Sequence, residues 1–370
     1  MNEAHPKRIG FLSFGHWHPS GPHTRSAADA LTQSIELAVA AEELGVDGAY
    51  FRVHHFERQL AAPYPLLAAI GARTSRIEIG TGVIDMRYEN PLYSAEEASA
   101  ADLIAGGRLQ LGISRGTPSS ALNGYEAFGY VPAEGTTDAD LAHQHTAVFR
   151  AAIAGAGVAH ADPRTTGRSD AVVGLQPLSA GLGDRIWWGS GTRSSAVWAA
   201  NQGMNLMSST LLTEDTGVPF DQAQAEQIAQ FRAAWAEAGW DREPRVSVSR
   251  SVIPVVTDED RSYFGDGDGA EGDQVGYVDA QTLARFGPSF TGEPDVITAK
   301  LAEDAAVQAA DTVLLTVPNQ LGVDYNTRML ATIAEHIAPA IGWSPAGAVG
   351  AMPRLVVPEL KPRPRQRSGR

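Results

Sequence analysis

Short apolar segments alternate with longer amphipathic segments eight times along this 370-residue chain, and this alternation constrains the fold more than any other feature. The apolar segments are rich in β-branched and aromatic residues, whereas the segments between them repeat apolar residues at helical spacing. Such an alternation predicts an α/β fold with a parallel sheet and right-handed connections. Eight repeats favour a closed (β/α)8 TIM barrel over an open, doubly wound sheet.

The predicted elements fill most of the first 340 residues. Strands are expected at residues 8–14, 46–53, 76–84, 108–114, 185–189, 204–208, 245–256 and 311–317. Helices are expected at residues 26–44, 65–73, 90–105, 138–154, 192–202, 221–238, 295–309 and 324–338. We therefore expect one barrel domain over residues 1–340, followed by a disordered, Pro- and Arg-rich tail over residues 341–370.

Long loop insertions follow the fourth and the seventh predicted strands. Residues 116–137 form the first, and residues 155–183 add a Gly- and Pro-rich excursion after the next helix. Residues 258–294 form the other insertion and combine many Gly and Asp residues with little apolar pattern. A stretch of this length without structure of its own is typical of a mobile lid over a functional site or of disorder.

Composition excludes several classes of function. The chain has no cysteine, so disulfides, thiolate metal sites and cysteine nucleophiles are absent. The net charge of −14 argues against nucleic acid and anionic membranes as partners. No apolar run reaches the roughly 20 residues of a membrane span, and the first residues do not resemble a signal peptide. We therefore expect a soluble, cytoplasmic protein.

The fourth predicted strand ends in a glycine-flanked arginine. Leu109, Leu111 and Ile113 alternate with smaller or polar residues, and Ser114-Arg115-Gly116 then ends the strand. The C-terminal edge of a parallel sheet is where ligands bind, and a guanidinium holds two phosphate oxygens at once. Arg115 is therefore a candidate phosphate ligand. A solvated strand end, or an ion pair at the surface, is the alternative that the strand alone leaves open.

A second anion site is predicted where the fifth strand turns into a helix. Ser190, Gly191 and Thr192 lie at this turn, and Ser195 lies in the first turn of the helix. Small residues and hydroxyls at a helix N-terminus direct backbone N–H groups toward an anion. Such a turn by itself often only caps its helix. Together with Arg115 in one barrel, it predicts a phosphate cradle.

Two further strand ends carry candidate site residues. His54 and His55 follow the second strand, and because neighbouring strand residues point to opposite faces, only one is expected to face the barrel mouth. The third strand carries Gly80 and Gly82, which allow a ligand to approach closely. No metal site is expected, since the remaining early histidines lack helical spacing: they are His16, His18 and His23.

Five segments, taken in this order, resemble the bacterial-luciferase-like flavin-dependent monooxygenase family. They are FRVHHF (51–56), IEIGTGVIDMRYENP (77–91), GGRLQLGISRGTP (106–118), IWWGSGTRSSAVWAANQG (186–203) and TGEPDVITAKLAEDAAVQAADTVLL (291–315). The resemblance covers residues 7–340 and implies a barrel that binds reduced flavin at its C-terminal mouth. The SRG sequence at residues 114–116 resembles the subgroup that uses reduced FMN more than the deazaflavin-dependent relatives.

The resemblance also implies roles for individual residues. Arg115 matches the arginine that holds the FMN phosphate, and Thr192 and Ser195 match its backbone and hydroxyl partners. His54 matches the catalytic histidine of the luciferase α subunit, with His55 beside it.

Strand three is implied to carry a non-proline cis peptide, and the matching bond is Gly82–Val83. The chain departs from luciferase at three positions, where Val53 and Gly191 stand for glutamates and Ser114 stands for a reactive cysteine. The first two departures leave the substrate and the phosphate geometry open.

The predicted function is that of a monooxygenase which uses reduced FMN and O2 to oxidise a small organic substrate. The resemblance implies a separate flavin reductase and a homodimer formed through the helices that flank the second and third strands. Two alternatives stay open: a deazaflavin-dependent dehydrogenase or reductase on the same barrel, and a non-catalytic flavin-binding or partner subunit. The sequence does not identify the substrate, since an aldehyde is only the best-known case in the family.

Overall fold

The computed structural model describes residues 6–116, 120–168, 170–214, 217–265, 274–277 and 283–345. Eight parallel strands close into a barrel, because β7 pairs with both β6 and β8 and β8 pairs with β1. The strands are β1 (Arg8–Ser13), β2 (Gly48–Phe51), β3 (Glu78–Asp85), β4 (Leu109–Ser114), β5 (Ile186–Ser190), β6 (Asn205–Ser208), β7 (Val246–Pro254) and β8 (Thr312–Val317). The predicted (β/α)8 TIM barrel is confirmed.

One principal helix follows each strand, with boundaries within a few residues of those predicted. The helices are α1 (Ala27–Glu43), α2 (Pro63–Arg73), α3 (Pro91–Ile104), α4 (Asp138–Ile153), α5 (Arg193–Asn201), α6 (Phe220–Ala238), α7 (Pro294–Glu303) and α8 (Gly322–Thr332). Their starts are encoded locally, by capping boxes at Ser26 and Thr137 and by proline in the first turn of α2, α3 and α7. None of the described helices is both long and apolar enough to cross a membrane.

The strands bury their two faces against different partners. Side chains that point outward pack under the helices in one large core, among them Phe11, Phe51, Ile113, Val248 and Leu315. Side chains that point inward form a plug inside the barrel: Leu12, Tyr50, Trp187, Met207 and Leu314. Beneath the plug, Arg245 pairs with Glu78 at 2.8 Å. The plug fills the barrel axis, so the space available to a ligand lies above it, at the C-terminal ends of the strands.

The expectation of an unstructured stretch at residues 258–294 is wrong for its described part. A helix covers Asp258–Phe264, and strands cover Gln274–Tyr277, Leu283–Phe286 and Ser289–Gly292. The last of these pairs in parallel with the upper half of β7, and the strand before it pairs with Leu211–Leu212 after β6. These pairings join segments distant in sequence, which local periodicity cannot reveal. Residues 266–273 and 278–282 lie outside the described residues.

Several connections contain small elements that the sequence pattern did not indicate. The insertion after β4 contains a 3-10 helix at Gly124–Phe128, and the excursion after α4 contains a hairpin of Gly157–His160 and Val172–Gly174. A second short helix, Ala305–Ala309, replaces the last part of the single helix predicted at 295–309. The tail from residue 346 onward lies outside the described residues, so its disorder stays a prediction.

Candidate functional site

A cavity of about 890 Å³ opens at the C-terminal end of the barrel. Its volume is near the upper end of the range, about 300–1,000 Å³, that is typical of small-molecule sites. Every site residue named from the sequence except Gly80 and Ser190 lines it: His54, His55, Gly82, Val83, Ser114, Arg115, Gly191, Thr192 and Ser195. Barrel closure therefore brings together strand ends that are far apart in sequence.

Two of the named residues do not line the cavity. Gly80 lies against the plug, where a Cβ atom would be 2.6 Å from the Tyr50 ring, so this glycine makes room for the plug and not for a ligand. Ser190 is the other. It is fully buried, and its hydroxyl donates to the carbonyl oxygen of Thr192 at 2.8 Å. The hydroxyl therefore supports the backbone turn into α5 and is not available to a ligand.

Arg115 and the start of α5 form one end of the cavity. The Arg115 side chain is exposed and makes no hydrogen bond or ion pair with any described residue. Thr192 is the N-cap of α5, where its hydroxyl accepts from the Ser195 backbone N–H at 3.1 Å and lies 3.2 Å from the Ser194 hydroxyl. A cation, two hydroxyls and a helix N-terminus thus face the same space.

A carboxylate already occupies part of this helix N-terminus. The backbone N–H of Arg193 donates to Glu214 at 2.9 Å, and the Arg193 side chain pairs with Glu214 and Glu226. Among the described residues the Ser194 N–H has no partner, so it is the first-turn donor left for a ligand. Glu214 also places negative charge near any anion bound here, which makes the contribution of Arg115 more important.

Arg115 is unpaired because the neighbouring carboxylate is already engaged. Gly116 has a φ of +74°, and a Cβ atom at this position would overlap Asp85. Asp85 pairs with Arg87 at 2.6 Å, and Arg87 pairs in turn with Asp138 at the start of α4. The Gly116 turn thus lets the chain pass over a satisfied Asp85–Arg87 pair and leaves the Arg115 guanidinium free for the cavity.

His143 on α4 is a cavity residue that the sequence analysis missed. Its ring stacks on Trp198, with centroids 4.1 Å apart, and contacts Trp188 at 5.6 Å. Burial lowers the pKa of His143 below its usual value; Asp140 opposes this shift and nearby Arg115 adds to it. An anion bound beside Arg115 would raise this pKa again. No local motif marks His143, because its neighbours come from β4, β5 and α5.

Both adjacent histidines line the cavity, contrary to the expectation that only one faces the barrel mouth, because strand alternation ends with β2 at Phe51. Their environments nevertheless differ. The Nδ1 atom of His54 lies 3.1 Å from the carbonyl oxygen of His55, which makes Nδ1 the donor and leaves Nε2 as the acceptor in the neutral ring. The His55 ring stacks on Tyr88 at 4.4 Å and meets the edge of Phe128. Its Nε2 is buried without a partner in the described part of the chain, and burial lowers the pKa of His55.

The floor of the cavity contains the predicted cis peptide. The bond between Gly82 and Val83 is cis, as the resemblance implied, and this prediction is confirmed. The Val83 side chain fits because its neighbours lack side chains: a Cβ atom at Gly112 or Gly189 would lie 3.0 Å from its Cγ1 atom. The pairing of β3 with β4 shifts register between Thr81 and Ile84 at the same place.

The early histidines are not arranged as metal ligands. His16 stacks on Phe14, and His18 Nδ1 lies 2.8 Å from the Ser20 hydroxyl. Within the described ranges, no three His, Asp or Glu side chains are grouped so that they could hold a metal ion.

Comparison with known proteins places this barrel in a family. The family described as luciferase-like monooxygenase matches residues 11–262, more than half of the chain. The oxygenase component of a flavin-dependent trigonelline monooxygenase from Acinetobacter baylyi is 32% identical over 105 residues, which are 26% of this chain and 29% of that protein. An F420-dependent glucose-6-phosphate dehydrogenase from Gordonia bronchialis is 37% identical over 100 residues, which are 25% of this chain and 28% of that protein.

The alignments to these and similar curated relatives span between 27% and 34% of the relatives' own lengths. Among solved structures, the oxygenating constituent of 3,6-diketocamphane monooxygenase from Pseudomonas putida, in complex with FMN, superposes with a TM-score of 0.65 at 17% identity. The match covers 91% of this chain and 99% of that chain, and it shows a shared fold. The family match over residues 11–262 shows that the chain belongs to the luciferase-like monooxygenases.

Proposed function

We propose that this protein is a monooxygenase that uses reduced FMN and O2 to oxidise a small organic substrate. The observation that carries the proposal is the unpaired Arg115 guanidinium, which lines the same cavity as the N–H and hydroxyl groups at the start of α5. FMN ends in a phosphate monoester, which is the group that such a set of donors recognises. A cavity of about 890 Å³ leaves room beyond this end for a ring system and a substrate.

The residues present fit an FMN phosphate. The guanidinium of Arg115 would hold two phosphate oxygens, and the Ser194 N–H and the hydroxyls of Thr192, Ser194 and Ser195 would reach the others. The Ser195 hydroxyl accepts from Trp188 Nε1 at 2.8 Å and keeps its own proton to donate. The Gly82–Val83 floor would let a flat ring approach the backbone. When it is bound, reduced FMN supplies the activation of oxygen. The protein holds the flavin in position, excludes water and transfers protons.

His54 is proposed to handle the protons. The His54 side chain lines the cavity, its Nδ1 donates to the His55 carbonyl, and its Nε2 has no partner among the described residues, so Nε2 would exchange the proton without the ring turning. Histidine is the side chain whose ordinary charge change falls within the physiological pH range. His55, packed against Tyr88, orients this segment. The insertion after β7 contributes Phe286–Ser289 to the cavity wall and is proposed to exclude water.

A deazaflavin-dependent dehydrogenase or reductase is the second candidate, because a relative that is named F420-dependent is 37% identical over the matched segment. A non-catalytic flavin-binding subunit is the third, and the open Nε2 of His54 argues against it. A separate flavin reductase is part of the proposal, supported by the relative that is named an oxygenase component.

A homodimer is also proposed. Three large apolar side chains on α3 are exposed: Tyr93, Leu103 and Ile104. A second copy of the chain would cover them, since exposed apolar patches of this kind mark interfaces. Sedimentation at micromolar concentration is expected to give about twice the 39.2 kDa chain mass, and a monomer alone would refute the dimer.

A cofactor panel tests the proposed function. The full chain is titrated under anaerobic conditions with reduced FMN, reduced riboflavin and reduced F420, and oxygen uptake is then recorded. We expect FMN to bind at least about tenfold more tightly than riboflavin, because only FMN carries the phosphate. Equal binding of FMN and riboflavin would contradict the phosphate cradle. Preference for F420 without oxygen uptake would establish the second candidate instead.

A further inference from the structure

The cavity contains a second arginine without a partner among the described residues. Arg52 directly follows β2, and strand alternation directs it to the same side as Tyr50, which belongs to the plug inside the barrel. Arg52 lines the cavity, above the plug. Arg115 follows β4, which lies two strands from β2 on one side. The Arg52 guanidinium lies over the ring of Phe14, which follows β1 on the other side of β2. The cavity therefore has a cation at each of two separate walls.

The environment of Arg52 leaves its charge unsatisfied. Its guanidinium carbon lies 5.0 Å from the centre of the Phe14 ring, and its side chain makes no hydrogen bond or ion pair with any described residue. Burial lowers the pKa of Arg52, and Glu57 opposes the shift from beyond ion-pair distance. A half-buried guanidinium with its donors free is costly unless a ligand accepts from them.

Hydroxyl groups on β7 and β8 also line the cavity, and β8 pairs directly with β1, the strand that Phe14 follows. Ser249 and Ser251 alternate with Val248 and Val252, which pack outward in the core, so the two serines point inward. Thr316 on β8 lies directly opposite Ser251 in the strand register. None of these three hydroxyls donates to or accepts from a described residue. Like Arg52, they are donors directed into the cavity.

We propose that Arg52, Ser251 and Thr316 bind a carboxylate group of the substrate, so that the protein oxidises an organic carboxylate. The planar fork of arginine matches the two oxygens of a carboxylate, and each oxygen can accept a further hydrogen bond from a hydroxyl. One cation among neutral hydroxyls balances one negative charge. Leu12, Phe14 and Leu314 beside this group offer an apolar surface to the rest of the molecule.

The assignment of this ligand as the substrate rests on the proposed function, whereas the anion site itself does not. The test therefore measures binding. Octanoate and octanamide serve as probes because they share a chain and a size and differ in charge. Each is titrated by calorimetry into the full-length wild type, Arg52→Gln and Arg58→Gln. Arg58 is the matched control, since it is six residues away, contacts an aromatic ring in the same manner and does not line the cavity.

We expect wild type and Arg58→Gln to bind octanoate at least about tenfold more tightly than octanamide. Arg52→Gln is expected to lose this preference by weakening octanoate alone, and Ser251→Ala with Thr316→Val to lose part of it. Equal binding of the two probes by wild type would overturn the proposal even if Arg52→Gln did not fold. So would a preference that survives in Arg52→Gln, including the case in which that variant loses FMN affinity instead.

Titration of FMN into the same samples separates the two proposals. A wild type that prefers octanoate and does not bind FMN upholds the anion site and refutes the proposed function. A wild type that binds FMN and does not distinguish octanoate from octanamide upholds the proposed function and refutes the anion site.

Discussion

The two polar walls of the cavity are built in different ways. The wall at Arg115 consists of a loop corner after β4 and the N-terminus of α5, so its donors are partly backbone and partly exposed side chains. The wall at Arg52 consists of half-buried side chains that project inward from β7, from β8 and from the residue after β2. A loop and a helix N-terminus suit a common group such as a phosphate. Side chains that point inward from the strands determine which other molecules fit the cavity.

The largest expected effect comes from His54, which follows β2 and lines the cavity. His54→Ala removes the acceptor Nε2, and we expect turnover to fall about 10²–10⁴-fold while FMN affinity changes little. The rate of substrate oxidation by reduced FMN and O2 in a single turnover measures this loss. His55→Phe is the control because it keeps the stacking on Tyr88. If His55→Phe loses more turnover than His54→Ala, the roles of the two histidines are reversed.

Arg115→Ala is expected to act on one wall alone. Loss of a charged hydrogen bond costs about 1.5–3 kcal/mol, so FMN affinity should fall roughly 10–150-fold while riboflavin affinity stays unchanged. Equilibrium titration with both flavins measures this difference. Arg164→Ala removes the same charge from a surface pair with Asp162 and should leave both affinities intact. A parallel loss of FMN and riboflavin would show that Arg115 supports the fold and not the phosphate.

The cavity floor, where Gly112 lies against Val83, is expected to lose stability when side-chain volume is added. A Cβ atom at Gly112 would lie 2.2 Å from the Thr81 carbonyl oxygen and 2.7 Å from the Met207 sulfur. Gly112→Ala should therefore lower the free energy of unfolding by about 1–3 kcal/mol, measured by chemical denaturation. Gly183→Ala meets no atom within 4 Å and should change it by less than about 0.5 kcal/mol. Equal free energies of unfolding for the two variants would mean that the residues around Gly112 shift without cost to make room for the added Cβ atom.

The smallest expected effect is a pH dependence at the Arg115 wall. In the free protein the pKa of His143 is lowered by burial, with Asp140 opposing and Arg115 adding to the shift. A bound phosphate favours the protonated ring, so the pKa is higher in the complex. The gain in affinity is therefore present at low pH and is lost as the pH rises through the pKa of the complex.

Comparison with His143→Gln isolates the contribution of the His143 ring to FMN affinity, because the phosphate titrates equally in both proteins. We expect wild type to gain about threefold in FMN affinity over His143→Gln between pH 8 and pH 6. A ratio of affinities that stays constant over this range would remove His143 from the phosphate site.

Local sequence was sufficient for the barrel and for most of one wall. The eight strand–helix units, the Ser26 and Thr137 caps and the corner at Arg115 each depend on residues within a few positions of one another. Ser190 was assigned to the ligand because the same turn chemistry serves a helix cap and an anion site, and only the bond to the Thr192 carbonyl distinguishes the two.

What the sequence alone determined is the identity and order of the elements, because period, caps and turn residues act within one strand–helix unit. What only the tertiary structure decided is which side chains remain without partners. Arg52 lies beside the histidines in the sequence. The sequence does not show that its guanidinium lacks a partner, or that β7 and β8 bring Ser251 and Thr316 to the same cavity. The pairing of the 258–294 insertion with β7 and with Leu211–Leu212 was likewise decided only by the tertiary structure. Such contacts follow from strand register and barrel closure, which join residues from opposite ends of the chain.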